Sequence, residues 1–377
     1  YIANFFLILA IILPFFLYKR AAPQFAFYSE LTAAICITIF LLLASFSIRR
    51  FIVFNNVTIY LNVLAVYLFF DMYINSVIYH SLQWLYIGSL FLSSLVAIVI
   101  TSLCYQQGYK KVFITVCYGL MIGSILQDIV VILQIMHKEI FGGWIYYISP
   151  GQPYSGNIGQ RNLLAHYLSW GILATTYLTY NSNIRKFWGW GLIIFQAAIL
   201  GATNSKTLIL YAFVIITLLC ITHFWQKQLV KKLLKMFTIT IFLILAFQII
   251  TLPLINSFQN SSHMSISSVA RLTSNPDVAT RSVEWMKAWF IFLNNPWFGT
   301  GWGSYAYQGF AISSNPIFPD ILSGYSLASH THNIILNLLA EVGIFGTIIT
   351  VGGFGYILKP LLTKRWSAIT LSALSML

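Results

Sequence analysis

Acidic residues are scarce in this chain: Asp and Glu number 8 in 377 residues, and all charged residues together make up 8%. A water-soluble domain normally carries about a quarter charged residues, so this shortage excludes an ordinary soluble globular enzyme. What fills the sequence instead is apolar, 59% of residues, with 17% aromatic. Apolar runs of about 18 residues or more recur along it, each long enough to cross a bilayer as a helix. The runs are continuously apolar rather than alternating at period two, which argues against a membrane-spanning sheet.

Cysteine is also sparse. Cys36, Cys104, Cys117 and Cys220 all lie inside apolar runs, with neither a CxxC pair nor any other metal spacing, and read as packing or lipid-facing residues. Internal repeats are missing, and the glycines of FGTGWG are too few and wrongly placed for a nucleotide loop. The first run has no initiator Met and no basic leader region, so it is not expected to be a signal peptide. The last begins near 367 and is expected to continue beyond Leu377, so both ends are expected to be cut.

These runs predict an all-α polytopic membrane protein with about ten or eleven transmembrane helices and one large periplasmic loop containing helices. Spans are expected near 2–18, 29–48, 52–70, 82–104, 112–135, 162–180, 187–203, 207–225, 236–254 and 333–357. The organisation is then transmembrane helices over 1–254, the periplasmic loop over 255–332, and C-terminal transmembrane helices over 333–377. Lys and Arg favour the cytoplasmic side. Taking Lys227, Lys231, Lys232 and Lys235 as cytoplasmic puts Arg49, Arg50, Lys110, Lys111, Arg185, Lys186, Lys359, Lys364 and Arg365 there too. Lys138, Arg161, Lys206, Arg271, Arg281 and Lys287 fall on the outer side, where Lys19 and Arg20 break the rule. The net charge of +13 thus follows from orientation and anionic lipid, and implies no nucleic acid. Glu30, Asp71, Asp128, Glu139, Asp277, Glu284, Asp320 and Glu341 map to outer loops or outer halves of spans. Polar chemistry therefore collects on the exterior face.

Four stretches interrupt the apolar pattern. Residues 155–170, SGNIGQRNLLAHYLSW, carry Gln160, Arg161 and Asn162 where the chain enters a span from outside. A helix start has unpaired N–H groups and partial positive charge, and an adjacent arginine suits phosphate. An interfacial cap with Arg161 reaching lipid headgroups fits equally well. His166, one turn further in, reads as a packed or interfacial histidine. In ATNSKTLIL, Thr203 to Lys206 form a polar break at the same face, where Lys206 pairing with lipid phosphate is the simplest reading of that stretch alone.

The interval before the last span contains RSVEWMKAWFIFLNNPWFGTGWGSY. Residues 281–293 suit a helix ended by Asn295-Pro296. Arg281 and Glu284 lie one turn apart and suggest a local ion pair, while Trp285, Trp289 and Phe292 suggest an apolar face on the membrane interface. SHTHNIILNLLAEVGIFG then leads into a span. His330 and His332 lack the Cys or carboxylate partners of a zinc site, so no metal is expected. A surface imidazole can instead accept a proton near neutral pH, although for the histidine taken alone an interfacial side chain is the simpler reading. Glu341, nine residues beyond His332 and about 13 Å along the helix, is too far to orient it directly. Being ionisable within a span, it is a functional candidate.

Taken together, GNIGQRNLLAHYL, TNSKT, RSVEW…NNPWFGTGWGSY and SHTHNIILNLLAEVGIFG, in that order, resemble the bacterial O-antigen ligase and O-oligosaccharyltransferase superfamily. The resemblance covers about 150 to 346. HTHN followed by AEVG is its most specific part, and TNSKT its weakest, since the family usually has Ser-Arg where this chain has Ser205-Lys206. APQFAFYSELTA and GNIGQRN are more similar to the pilin-type protein glycosylation branch. The resemblance implies transfer of a glycan from undecaprenyl-diphosphate to a Ser or Thr hydroxyl of a periplasmic protein such as a pilin. It places the enzyme in the bacterial inner membrane with its active site facing the periplasm, and implies no cofactor. By the same resemblance His332, Arg281 and Arg161 are catalytic, His332 as general base and the arginines, with Lys206, on the diphosphate. Gln160, Asn162, Glu284, His330, Asn333 and Glu341 complete the expected substrate-binding set. A ligase onto lipid A-core and an O-antigen polymerase share the donor and the motif plan. A transporter for lipid or an anionic solute would also want outer-facing arginines.

Overall fold

The computed structural model describes residues 2–18, 27–48, 52–75, 80–136, 144–148, 152–225, 231–259, 276–312, 328–363, 370 and 372–373. The basic pairs Lys19–Arg20, Arg49–Arg50 and Lys364–Arg365, with Lys138, Glu139, Lys227, Arg271 and Asp320, lie outside the described residues. So do the side chains of Lys231 and Asp277, the first half of APQFAFYSELTA, and most of the run expected from 367.

The described chain is helical, with no strand among the described residues. In order the helices are α1 (Ile2–Phe16), α2 (Phe27–Ser47), α3 (Asn56–Ile74), α4 (His80–Gln107), α5 (Tyr109–Ile135), α6 (Arg161–Tyr180), α7 (Lys186–Ala202), α8 (Thr207–Trp225), α9 (Lys231–Gln259), α10 (Pro276–Asn294), α11 (Tyr305–Ala311) and α12 (Ile334–Thr363). Among the described residues, six helical segments are long and apolar enough to cross a membrane: Phe27–Ser47, Asn56–Ile74, His80–Gln107, Tyr109–Ile135, Lys232–Ile255 and Ile334–Lys359. Helices α1 and α7 are apolar but shorter, at 15 and 17 residues. The chain is a multi-pass membrane protein.

The chain divides into two compact units. The first comprises 1–50, 103–274 and 364–377, and holds α1, α2 and α5 to α9. Its centre is α6, which packs on α5, α7, α8 and α9 and buries nearly every residue from Leu164 to Thr179. A helix surrounded by protein needs less apolar surface than one facing lipid, which is why α6 can be so polar. Its hydroxyls bond back along the helix: Ser169, Thr175, Thr176 and Thr179 each donate to the carbonyl four residues earlier. Thr175 and Thr176 also reach across, to Gln196 of α7 and Thr240 of α9. Polar bridges between helices are one way such bundles are joined within a bilayer.

The second unit comprises 51–102 and 275–363, and holds α3, most of α4, and α10 to α12. One apolar cluster joins Leu64, Ala65 and Leu68 of α3 to Ile87 of α4 and to Leu338 and Val342 of α12. A second joins Ala288 and Ile291 of α10 to Tyr305 and Ala340. Helix α12 is broken at Gly343, whose φ of 63° and ψ of −165° lie outside the helical region. Such a break frees backbone groups that, at membrane depth, cost several kcal/mol each if unsatisfied.

The segment 296–301, between α10 and α11, satisfies them. Ile344 and Phe345 N–H donate to the carbonyls of Pro296 and Trp297 at 2.9 and 3.2 Å. Thr300 and Gly301 N–H donate to the carbonyls of Ala340 and Glu341 at 3.1 and 2.7 Å. The Tyr67 hydroxyl donates to the Val342 carbonyl at 2.9 Å. The backbones approach so closely that a Cβ at Gly343 would stand 2.4 Å from the Trp297 carbonyl, and one at Gly299 2.4 Å from the Glu341 carbonyl. The expected continuous span at 333–357 is thus two half-helices held by the NPWFGTG turn.

Candidate functional site

In the first unit, the polar residues at the entry to α6 separate into structural and uncommitted ones. Asn157 is fully buried. Its Nδ2 donates to the carbonyls of Phe16 and Trp144, both at 2.8 Å, and its Oδ1 accepts from Tyr146 N–H at 2.9 Å. Two glutamines of α5 hold the same turn, Gln127 accepting from Asn157 N–H and Gln134 from Gly156 N–H. Gly156 has φ of 55°, and a Cβ there would fall 2.5 Å from the Gln127 Oε1. His166 is a packed histidine, as expected. Its Nδ1 lies 2.6 Å from the Tyr211 hydroxyl, and its ring meets Trp170 edge-on.

Asn162 ties this entry to the TNSKT turn, its Oδ1 accepting from the Ser205 hydroxyl at 2.8 Å. Ser205 is itself buried, and its carbonyl accepts from Gln248 of α9 at 3.3 Å. The bond joins the first turn of α6 to the turn preceding α8, so Arg161 and Lys206, each adjacent to one partner, lie on neighbouring elements. Gln160 occupies the N-cap position of α6 without a side-chain cap bond. The helix start therefore keeps its positive end, with Gln160 exposed and Arg161 half-buried beside it.

In the second unit, α10 turns Glu284, Lys287, Ala288 and Ile291 inward at helical spacing. Lys287 Nζ lies 3.2 Å from Glu284 Oε1. The carboxylate expected to pair with Arg281 therefore pairs with Lys287, which shares its buried face, while Arg281 is exposed. The Tyr305 hydroxyl donates to Glu284 Oε2 at 2.6 Å, and its burial, then this bond, raise its pKa above the ordinary tyrosine range. Glu341 is buried and its Oε1 accepts from Tyr305 N–H at 3.2 Å. Asp71 of α3 accepts from Trp302 N–H at 3.2 Å. Carboxylates from three elements thus fix one loop.

The SHTHN turn is held by Thr331, which is fully buried. Its N–H donates to Asn337 Oδ1 at 3.2 Å, its hydroxyl to the Asn333 carbonyl at 2.7 Å, and its carbonyl accepts from the Trp285 indole at 3.0 Å. Asn333 caps α12, its Oδ1 accepting from Ile335 and Leu336 N–H at 3.1 and 3.3 Å. His330 receives or donates a bond at Nδ1 with Ser329 at 2.8 Å, and its ring meets that of His332 edge-on at 4.4 Å. His332 is exposed and has φ of 55°, a left-handed conformation uncommon for a non-glycine residue. Arg281 precedes Trp285 by one helical turn, and residues four apart share a helix face. The indole thus brings the histidine turn to the face of α10 that carries Arg281.

The expected residues accordingly form two groups: Gln160, Arg161, Asn162 and Lys206 in the first unit, and Arg281, Glu284, His330, His332, Asn333 and Glu341 in the second. Sequence reasoning missed Ser205, Thr331, Asn337 and Tyr305, and read Trp285 only as an apolar surface residue. Each acts through a bond to a residue distant in the chain or through a backbone atom, which leaves no local pattern. Among the described residues, no group of three or more His, Cys, Asp or Glu could hold a metal ion.

Two family descriptions match. O-antigen ligase matches residues 191–351, covering the TNSKT turn, α10 and the histidine turn, and protein glycosylation ligase matches residues 155–178, covering the entry to α6. No curated protein and no solved structure gives a match. Both matches fall on the stretches that interrupt the apolar pattern, and together they support the resemblance to the O-antigen ligase and O-oligosaccharyltransferase superfamily, a group of glycan-transferring enzymes that includes the protein-glycosylation ligases.

Proposed function

We propose that this chain transfers a glycan from an undecaprenyl-diphosphate carrier to a Ser or Thr hydroxyl of a periplasmic protein such as a pilin. The acceptor oxygen attacks the anomeric carbon, and the bond from that carbon to the diphosphate breaks. The hydroxyl proton passes to His332, and undecaprenyl diphosphate leaves. Arg161, Arg281 and Lys206 hold the diphosphate and offset the charge that grows on it. Gln160 and Asn162, with His330, lie on the substrate side. Glu284, Asn333 and Glu341 act through the loops that they anchor.

In this reading the protein lies in the bacterial inner membrane with ten or eleven spans, the shorter apolar helices included. Residues 255–332 form a periplasmic loop, and the active face is periplasmic. The observation that carries it is that every expected site residue falls inside one of the two matched segments. The match at the entry to α6 favours the protein-glycosylation acceptor. The longer match keeps a lipid A-core ligase or an O-antigen polymerase as the alternative, because the donor chemistry is the same.

Purified protein given labelled lipid-linked glycan and candidate acceptors, with products identified by mass spectrometry, decides among them. In that assay His332→Ala is expected to lower transfer by roughly 10²- to 10⁴-fold, the scale of a lost general base, with the protein still membrane-inserted. Transfer within about twofold of the parent would remove His332 from the chemistry, as twofold is far below that scale.

A further inference from the structure

The geometry points to Trp285 as a positioning residue for His332, acting through the Thr331 carbonyl; this rests on the general-base reading of His332. The indole N–H donates to that carbonyl at 3.0 Å, and Thr331 directly precedes His332. The peptide between them is therefore fixed to α10 by one bond from a rigid, two-torsion side chain.

His332 needs such support. Its φ of 55° is strained for a side chain with a Cβ, and strained residues persist only where their surroundings over-determine them. Thr331 supplies that determination with every polar group it has. Its N–H is held by Asn337 and its hydroxyl bridges both backbone groups of Asn333, so the C-terminal side of the turn is tied to α12. Among the described residues, the Trp285 bond is the hydrogen bond that ties Thr331 to α10, the helix that carries Arg281. Trp285 thus couples the peptide before the histidine to the helix that carries the arginine. Its partial exposure does not weaken the case, because the bonded carbonyl belongs to a fully buried residue.

Trp285→Phe keeps the ring and removes the N–H donor. We expect kcat for transfer to fall about tenfold, the scale of one hydrogen bond, with KM for the lipid-linked donor unchanged. Modification of His332 by diethyl pyrocarbonate, read by mass spectrometry, should change in rate, since this reports the imidazole without requiring turnover. Trp289→Phe is the control. It alters an exposed tryptophan one turn along α10, whose ring contact is with Phe292, and should leave both readouts unchanged. Equal losses in the two variants would mean a general effect of interfacial aromatics and would overturn the assignment. So would an unchanged kcat together with an unchanged labelling rate in Trp285→Phe. A changed labelling rate with full transfer would support the positioning contact and reject His332 as the base.

Discussion

Both oxygens of the Asp128 carboxylate are buried without a hydrogen-bond partner among the described residues. Its neighbours along α5 are well served: Gln127 and Gln134 hold the turn before α6, and Ser124 accepts from Gln196. Burying a carboxyl without a partner is unfavourable in either protonation state, and worse when it is charged. Asp128→Leu keeps the branching and removes both unpaired oxygens, so it should stabilise the detergent-solubilised protein by about 1–3 kcal/mol. Thermal unfolding followed by tryptophan fluorescence measures this, with glycan transfer unchanged. A stabilised variant that had lost transfer would instead place Asp128 in the chemistry, the usual reason for an ionisable group at such depth. The sequence placed Asp128 with the other acidic residues on the outer side, but could not show that it lacked a partner. The same limit holds for Arg281 and Lys287, either of which could reach Glu284 by spacing. Only the burial of the 284, 287, 288 and 291 stripe selects the lysine.

At the scale of elements, helices were legible wherever apolar runs were continuous, because a bilayer leaves few other ways to satisfy the backbone. The ends expected for α6 and α7 lie within a residue or two of those found. Less legible was the join between NPWFGTG and AEVG, seen in the sequence as a turn and a span. Their relation is a set of backbone bonds between segments some 40 residues apart, and backbone atoms carry no sequence signal. Glycine is the one trace, since Gly299 and Gly343 combine positive φ with a close backbone approach. Gly343→Ala should therefore destabilise the protein by about 3 kcal/mol or more, combining strain with a steric clash. It should also reduce transfer, because Glu341 and the loop that it anchors sit on the break. Gly352→Ala is the comparison on the same helix. A Cβ there meets nothing within 4 Å, and alanine favours a helix over glycine by about 1 kcal/mol. Melting temperatures of the two variants side by side test the break, and equal values would show that α12 tolerates a straight path.

Across the whole molecule, the proposed chemistry is divided. The first unit supplies Arg161 and Lys206 beside a positive helix end, and the second supplies His332 with Arg281. If both act on the same donor molecule, their contributions cannot be independent. Once the base is gone, stabilising the leaving diphosphate matters less, because a different step limits the rate. Groups that act as a unit show this as strong non-additivity. Arg161→Ala alone should lower kcat/KM for the lipid-linked donor by about 10- to 100-fold, as expected for charge-assisted bonds to phosphate. Added to His332→Ala, it should lower what remains by no more than about threefold, far short of the product of the two single losses. Both quantities come from initial rates over a range of donor concentrations, with membrane insertion checked for each variant. Fully multiplicative losses would mean that the arginine and the histidine serve separate events, and the assignment of Arg161 to the reacting diphosphate would fall while the family resemblance stood.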